Sequence, residues 1–220
     1  MPKPRTYQTE AIIIKKTKLG EADRILTLYS PDLGKIQAVA KGIRRPRSKL
    51  AGHLELLTNS LVTFARGRNL DTIIGSQTID SFLALKSDLG LTASALYLTE
   101  MVAQFTPEHV EDRFLFRLLI DTLHQLSQAP NRELLLRHFE IHFLNQAGYR
   151  PELKECVRCR KPLQPTINYF SAGAGGILCP DCRLSQNMVY PLSVDALKVL
   201  RWLQDSDFDT VSRLKMAPEL

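Results

Sequence analysis

The chain has 220 residues, 44% of them hydrophobic, with four cysteines and a formal net charge of +6 at pH 7. That is enough apolar content for one or two packed domains, and too little cysteine for a disulfide scaffold. The longest apolar runs, Ala11–Ile14, Phe82–Leu85 and Ala95–Leu98, are four residues each, against the ~20 that a membrane span takes and the longer run a signal peptide needs, so a soluble protein of the reducing cytosol is expected.

Residues 7–80 read as β. Thr9–Lys16 is short and β-branched, Ile25–Tyr29 follows the turn signal Gly20-Glu21, and Ser30–Gly34 is a second turn cluster. Lys35–Lys41 then alternates polar and apolar residues as far as Ala38, the pattern of a strand with one wet face. Leu61–Phe64 and Thr72–Ile74, joined through Gly67 and Asn69, complete five short strands. Such a set fits a small barrel such as an OB-fold, and an SH3-like barrel has a similar pattern.

The period changes after residue 80. Leu91, Ala95, Val102 and Phe105 have helical spacing, and Phe114, Leu115, Leu118, Leu119, Leu123 and Leu126 form a second apolar stripe. Asn131 is a good N-cap for a third helix that carries Leu135, Phe139, His142 and Phe143 on one face and ends near Gly148. Ser193 caps a later helix through Leu197, Leu200 and Leu203, whereas residues 150–192 break the helical pattern and hold every cysteine. The expected fold class is α+β and multidomain. It has an OB-fold β-barrel over 1–80, a helical domain over 81–149, an inserted four-cysteine segment over 150–190, and C-terminal helices over 191–220 that pack with the helical domain.

Cys156-Val157-Arg158-Cys159 and Cys179-Pro180-Asp181-Cys182 are two CxxC pairs separated by 19 residues. Each CxxC turn can present two thiolates to one ion, and two such turns complete the tetrahedral shell of a structural Zn²⁺. A closed shell leaves no position for water or substrate, and such a site supplies ~10–16 kcal/mol of apparent binding energy, enough to order a loop-rich segment. The flanking Arg158, Arg160, Lys161 and Arg183 are expected to favour thiolate over thiol. Two redox dithiols or two disulfides use the same residues, but no βαβ pattern surrounds either pair. A zinc deaminase would combine H-x-E with P-C-x-x-C. Here His138-Phe139-Glu140 precedes a CxxC that follows Glu155 instead of proline, and the second pair would be idle. His138 and His142, at i and i+4, lack a third ligand and read as flanking Phe139 on an amphipathic helix. Ser171–Gly176 is glycine-rich but lacks the lysine of a P-loop. No nucleophile–base or paired-carboxylate arrangement stands out, so no enzymatic activity is expected.

The charge is unevenly distributed. Residues 1–80 hold 14 Lys+Arg against 7 Asp+Glu, a net +7, whereas residues 81–220 hold 15 against 16, a net −1. Five cations, Lys41, Arg44, Arg45, Arg47 and Lys49, fall in one nine-residue loop without an acid, Arg66 and Arg68 flank Gly67, and Arg24 begins a strand. Converging on one face of a barrel, these would form a track for phosphates. A base-reading barrel wants several surface aromatics, and residues 1–80 contain just Tyr7, Tyr29 and Phe64 of the chain's 16. The expected contact is therefore with the nucleic-acid backbone and tolerant of sequence. A protein–protein adaptor with an incidental basic loop, and a zinc-ribbon RNA or transcription factor, are the other classes this chain admits.

The run Gly20-Glu21-Ala22-Asp23-Arg24, then Gly34-Lys35, Ala40-Lys41-Gly42-Ile43-Arg44-Arg45 and Ser48-Lys49, resembles the N-terminal signature of the RecO family of bacterial recombination mediators. The order of barrel, helices and cysteine segment is similar as well, although some members lack the cysteines. The resemblance implies binding of single- and double-stranded DNA by the OB-fold, annealing of complementary strands, and contacts with RecR and with the acidic tail of single-strand binding protein. Together these help RecA load during recombinational repair, without catalytic turnover, in the bacterial cytoplasm at the nucleoid. Lys41, Arg44, Arg45, Arg47 and Lys49 fall in the family's basic stretch; Arg24, Lys35, Arg66 and Arg68 join them on charge and expected placement.

Overall fold

The five β-rich stretches of the first third pair into a ring. In the computed structural model, which describes residues 4–211, these are β1 (Thr6–Leu19), β2 (Asp23–Ser30), β3 (Gly34–Ala40), β4 (Asn59–Ala65) and β5 (Asp71–Asp80). The ring runs β1-β2-β3-β5-β4 and closes β4 back on β1; every pair is antiparallel except β3–β5, whose parallel seam is two residue pairs long. This is the five-stranded barrel of an OB-fold. The alternating inward residues Ala11, Ile13, Leu26, Leu28, Ile36, Ala38, Val62, Phe64 and Ile73 fill it. Strand β1 is longer than its apolar run. Past a bulge between Ile13 and Lys15 it stays paired to β2 as far as Leu19, so backbone hydrogen bonds carry the hairpin beyond the stretch that apolar patterning marks.

Three helices follow: α1 (Leu83–Lys86), α2 (Leu89–Phe105) and α3 (Arg113–Leu126). Asp88 and Asp112 cap α2 and α3 by accepting the Leu91 and Leu115 amides. The connection between α2 and α3 passes over β3, where the His109 amide donates to the Lys35 carbonyl at 3.0 Å. A Cβ on Gly34, whose φ is +62°, would overlap the Val110 carbonyl, so this crossing requires glycine. The Lys35 ammonium donates to the Ala103 carbonyl in the last turn of α2 at 2.6 Å, where the exposed helix carbonyls favour a cation. The Gly34-Lys35 pair thus joins β3 to the helical layer.

The chain divides into two compact units, one up to Gln128 and one from Ala129. The second unit begins with α4 (Arg132–Gln146), capped by Asn131, which accepts the Leu134 amide at 3.0 Å, and followed by Gly148 at φ +81°. A three-stranded antiparallel sheet comes next, from β6 (Asn168–Ser171), β7 (Gly176–Leu178) and β8 (Tyr190–Leu192) in the order β7-β6-β8. Strands of three or four residues are too short for sequence periodicity to reveal. Ser193 caps α5 (Val194–Asp205), and α6 (Phe208–Val211) follows. The expected C-terminal helical segment continues to 220, and its residues 212–220 lie outside the described residues. Leu134, Ile141, Leu153, Ile177, Leu197, Leu203 and Val211 form the core of this unit.

His138 and His142 lie in tilted contact at 4.2 Å between ring centroids, and their Nε2 atoms donate to carbonyls at the end of α5: His138 to Ser206 at 3.1 Å, His142 to Leu203 at 3.1 Å. They satisfy the last carbonyls of that helix. Among the described residues no helix is long and apolar enough to cross a membrane.

Candidate nucleic-acid interface and metal centre

The barrel register brings the basic connections together. Arg24 pairs with Lys18 on one side and Ala40 on the other, so the β1–β2 turn lies beside the start of the 41–58 loop. Ala38 pairs with Asp71, which brings the β4–β5 turn carrying Arg66 and Arg68 to the same strand ends. The loop is tied to the β1–β2 turn by three hydrogen bonds. The Gly42 amide donates to Asp23 Oδ1 at 2.7 Å, the Arg44 amide to the Ala22 carbonyl at 3.0 Å, and the Arg44 guanidinium to the Glu21 carbonyl at 2.8 Å. Ile43 is buried beneath it and anchors it to the barrel core. Lys41, Arg44, Arg45, Arg47 and Lys49 stand exposed around this anchor, as do Arg66 and Arg68, and Arg24 is half-buried. Among the described residues none of these eight cations is ion-paired, whereas Lys16 pairs with Glu55 at 2.7 Å and Arg113 with Asp32 at 2.7 Å.

Lys35 is placed apart from this group, with its ammonium at the end of α2. One cation that charge clustering passed over lies beside the loop cations instead: Lys18 of β1, which is exposed. Lys18 lies directly across from Arg24, a like-charge pair that is unfavourable in an antiparallel ladder unless an anion neutralises it. The signal was available in the run Lys15-Lys16-Thr17-Lys18, which follows the most apolar part of the strand.

The three aromatics of the barrel region offer no open ring face. Tyr29 and Phe64 are buried. Tyr7 stacks on Phe64 at 5.0 Å and is covered by the Arg66 guanidinium at 4.7 Å, while its hydroxyl donates to Asp71 at 2.6 Å. Burial, and then the Asp71 carboxylate, push the Tyr7 pKa up.

In the second unit the sulfurs of Cys156, Cys159, Cys179 and Cys182 all lie within 4.8 Å of one another, and Cys159 and Cys179 are 3.9 Å apart. A tetrahedral ion with 2.3 Å metal–sulfur bonds sets its sulfurs about 3.8 Å apart, so the four side chains fit one such ion. The first turn is held by the Cys156 amide on the Lys161 carbonyl and the Arg160 amide on the Cys156 carbonyl, the second by the Cys182 amide on the Cys179 carbonyl. The Val157 amide donates to the Ile177 carbonyl at 2.9 Å, which links the first turn to β7. A Cβ on Gly176 would overlap the Glu152 carbonyl, so glycine is needed for the strand to come this close.

Burial disfavours ionisation of Cys156, but the amides of Cys159, Cys179 and Arg158 donate to its sulfur and bring its pKa down to about 6. Burial raises the Cys179 pKa, and hydrogen bonding to Cys179 pushes Cys182 up to about 12. Without a cation the cluster thus favours one thiolate; four need a metal to neutralise them. The backbone, more than the neighbouring arginines, favours that thiolate. Arg160 pairs with Glu155 at 3.0 Å, and Arg183 donates to the Tyr169 hydroxyl and lies over its ring. An all-sulfur donor set selects soft ions over Mg²⁺ or Ca²⁺.

Two family models together cover nearly the whole chain, dividing it after the barrel. Residues 3–82 match the family model described as Recombination protein O N terminal, and residues 86–220 match the one described as Recombination protein O C terminal. The chain is 50% identical over 220 residues to a DNA repair protein RecO of Dehalococcoides mccartyi, covering 100% of this chain and 87% of that protein. It is 40% identical over 214 residues to the DNA repair protein RecO of Roseiflexus sp., covering 97% of this chain and 75% of the relative. With the DNA repair protein RecO of Heliobacterium modesticaldum the identity is 33% over 220 residues, covering 98% and 80%.

Proposed function

The chain belongs to the RecO family of DNA repair proteins, and from that premise we propose that it is a recombination mediator that grips DNA through the basic end of its barrel. The observation that carries this reading is the set of eight cations, at strand ends that share a register, without an ion-pair partner among the described residues. Lys41, Arg44, Arg45, Arg47 and Lys49 form the centre of the surface, Arg24, Arg66 and Arg68 its flanks, and Lys18 its extension along β1. Contacts to phosphate position a strand without reading it. Two strands held on one cationic surface are screened from each other, and base pairing then supplies the sequence information, so annealing needs no catalytic group.

Single- and double-stranded DNA are both ligands in this reading, with RecR and single-strand binding protein as protein partners and RecA loading as the outcome, in the cytoplasm at the nucleoid. The four cysteines hold a structural Zn²⁺, which cross-links two turns of the second unit and takes no part in chemistry. The test is annealing of complementary oligonucleotides coated with single-strand binding protein, together with affinity for a labelled single strand across a salt series. The expected log–log slope is roughly −0.7 per phosphate contacted. Salt-independent affinity, or failure to anneal, overturns the reading.

A further inference from the structure

Among the acids at the basic end of the barrel, Asp23 is the one whose carboxylate accepts a main-chain amide of the 41–58 loop. Asp23 opens β2 next to Arg24, and its Oδ1 accepts the Gly42 amide at 2.7 Å. A carboxylate here opposes phosphate binding on charge alone. We propose that Asp23 is a positioning residue for the DNA-binding loop, an inference that rests on the proposed DNA reading.

The geometry gives the reason. Gly42 sits at φ +62°, the turn at which the chain leaves β3, and its amide is held there by the Asp23 carboxylate. From Gly42 the hydrogen bonds run onward through the loop: the Arg45 amide to the Gly42 carbonyl at 3.0 Å, then the Ser48 amide to the Arg45 carbonyl at 2.9 Å. Arg44, between them, is tied to the Glu21 and Ala22 carbonyls of the turn that Asp23 closes. One carboxylate oxygen on a backbone amide therefore fixes the register of every turn that displays Arg44, Arg45 and Arg47. Because Asp23 uses its charge on a main-chain N–H, none of those three guanidiniums is ion-paired among the described residues, and Arg44 spends one N–H on the Glu21 carbonyl. A charge-assisted bond of this kind is about twice as strong as a neutral one, and ordering the loop beforehand spares that cost on binding.

The sign of the mutational effect separates this from simple electrostatics. Asp23→Ala raises the net charge by one, so a charge-only surface would bind DNA more tightly. Positioning predicts the opposite: affinity of the full chain for a labelled 30-nucleotide single strand falls by about 3–10-fold at fixed salt. Asp23→Asn keeps an oxygen acceptor at the same place and is expected to restore binding to within about 2-fold of the unmodified chain. Amide hydrogen exchange at Gly42 should accelerate in Asp23→Ala and stay slow in Asp23→Asn, and thermal melting establishes that both variants are folded. If folded Asp23→Ala binds as tightly as the unmodified chain or tighter, or Asp23→Asn loses as much as Asp23→Ala, the positioning role is overturned. An unmodified chain that does not bind DNA overturns the DNA reading itself, and the role with it.

Discussion

The barrel and the cysteine-bearing unit solve the problem of holding irregular backbone in opposite ways. In the barrel, long paired strands and an apolar interior come first, and the irregular 41–58 loop is hung from them by a few hydrogen bonds to the β1–β2 turn. In the second unit, strands of three or four residues cannot supply that frame, and two cysteine turns with sulfurs within 4.8 Å take its place. Charge is used oppositely as well. The basic end of the barrel leaves eight cations without an ion-pair partner among the described residues, whereas Arg150, Lys154, Arg160 and Lys198 of the second unit all contact acids. An unpaired cation costs little on a wet surface and is available to a ligand; a paired one is not. The excess of +7 in the first 80 residues therefore includes eight cations without an ion-pair partner among the described residues.

The two units should part most visibly when the metal proposed for the four cysteines is removed. Replacing Cys179 and Cys182 with serine, or stripping the metal with a chelator, is expected to abolish cooperative melting of the unit from Ala129 onward. Binding energy of ~10–16 kcal/mol is lost from a segment with few strands to replace it. The barrel should keep its β signal. Metal analysis of the unmodified chain should find about one zinc per chain; a fully folded, metal-free chain with two disulfides would contradict the account. Next in size is the charge reversal Arg44→Glu, Arg45→Glu, Arg47→Glu. It should lower DNA affinity by about 100-fold or more and flatten the salt slope by about 2, three contacts' worth, similarly for unrelated sequences. Stability should change by less than ~0.5 kcal/mol at Arg45 and at Arg47, as for surface substitutions, and by more at Arg44, whose guanidinium holds the Glu21 carbonyl. A loss confined to one sequence would refute backbone contact.

What the sequence reveals divides along the same line. Strands β2 to β4, the caps Asn131 and Ser193, and the stop at Gly148 are legible because each depends on neighbours within a few positions. The paired CxxC turns are legible for the same reason: two ligands at fixed spacing cannot point far apart. What stays hidden depends on partners distant in the chain. The carbonyl that receives Lys35 and the one that receives His138 are each 68 residues away. Charge clustering therefore groups Lys35 with the cations of the basic loop, and helical spacing reads His138 as a flank of Phe139. The lid that Arg66 forms on Tyr7 is hidden likewise, since β1 and β4 meet through tertiary pairing.

His138 supplies a pH test confined to the second unit. Burial, and then the neighbouring His142, lower its pKa to about 4. In the unfolded chain it returns to an ordinary value near 6.5. The folded state then binds fewer protons than the unfolded state between those values, so stability is full above about pH 6.5 and falls as pH drops toward 4. The loss should be on the order of 2 kcal/mol. His138→Gln keeps a donor for the Ser206 carbonyl and should flatten this dependence. An unchanged pH profile in that variant would place the acid sensitivity elsewhere.

The smallest effect bears most directly on which cations belong to the surface. Lys35 has the charge of a phosphate ligand and adjoins the family's basic stretch in sequence, but its Nζ is hydrogen-bonded to the Ala103 carbonyl at 2.6 Å, half-buried under the turn that Val110 makes over Gly34. Releasing that ammonium to phosphate would leave a carbonyl at the end of α2 unsatisfied. A net hydrogen bond with a charged donor is worth ~1.5–3 kcal/mol when fully buried, and about 1 kcal/mol in this half-exposed setting. Lys35→Met keeps the aliphatic stem and removes the donor. It should therefore lower the unfolding free energy by about 1 kcal/mol, read from denaturant midpoints. Its DNA affinity and salt slope should match those of the unmodified chain. If instead the slope drops by about 0.7, one phosphate contact's worth, Lys35 belongs to the DNA surface. The division between bound and free cations would then have to be redrawn through β3.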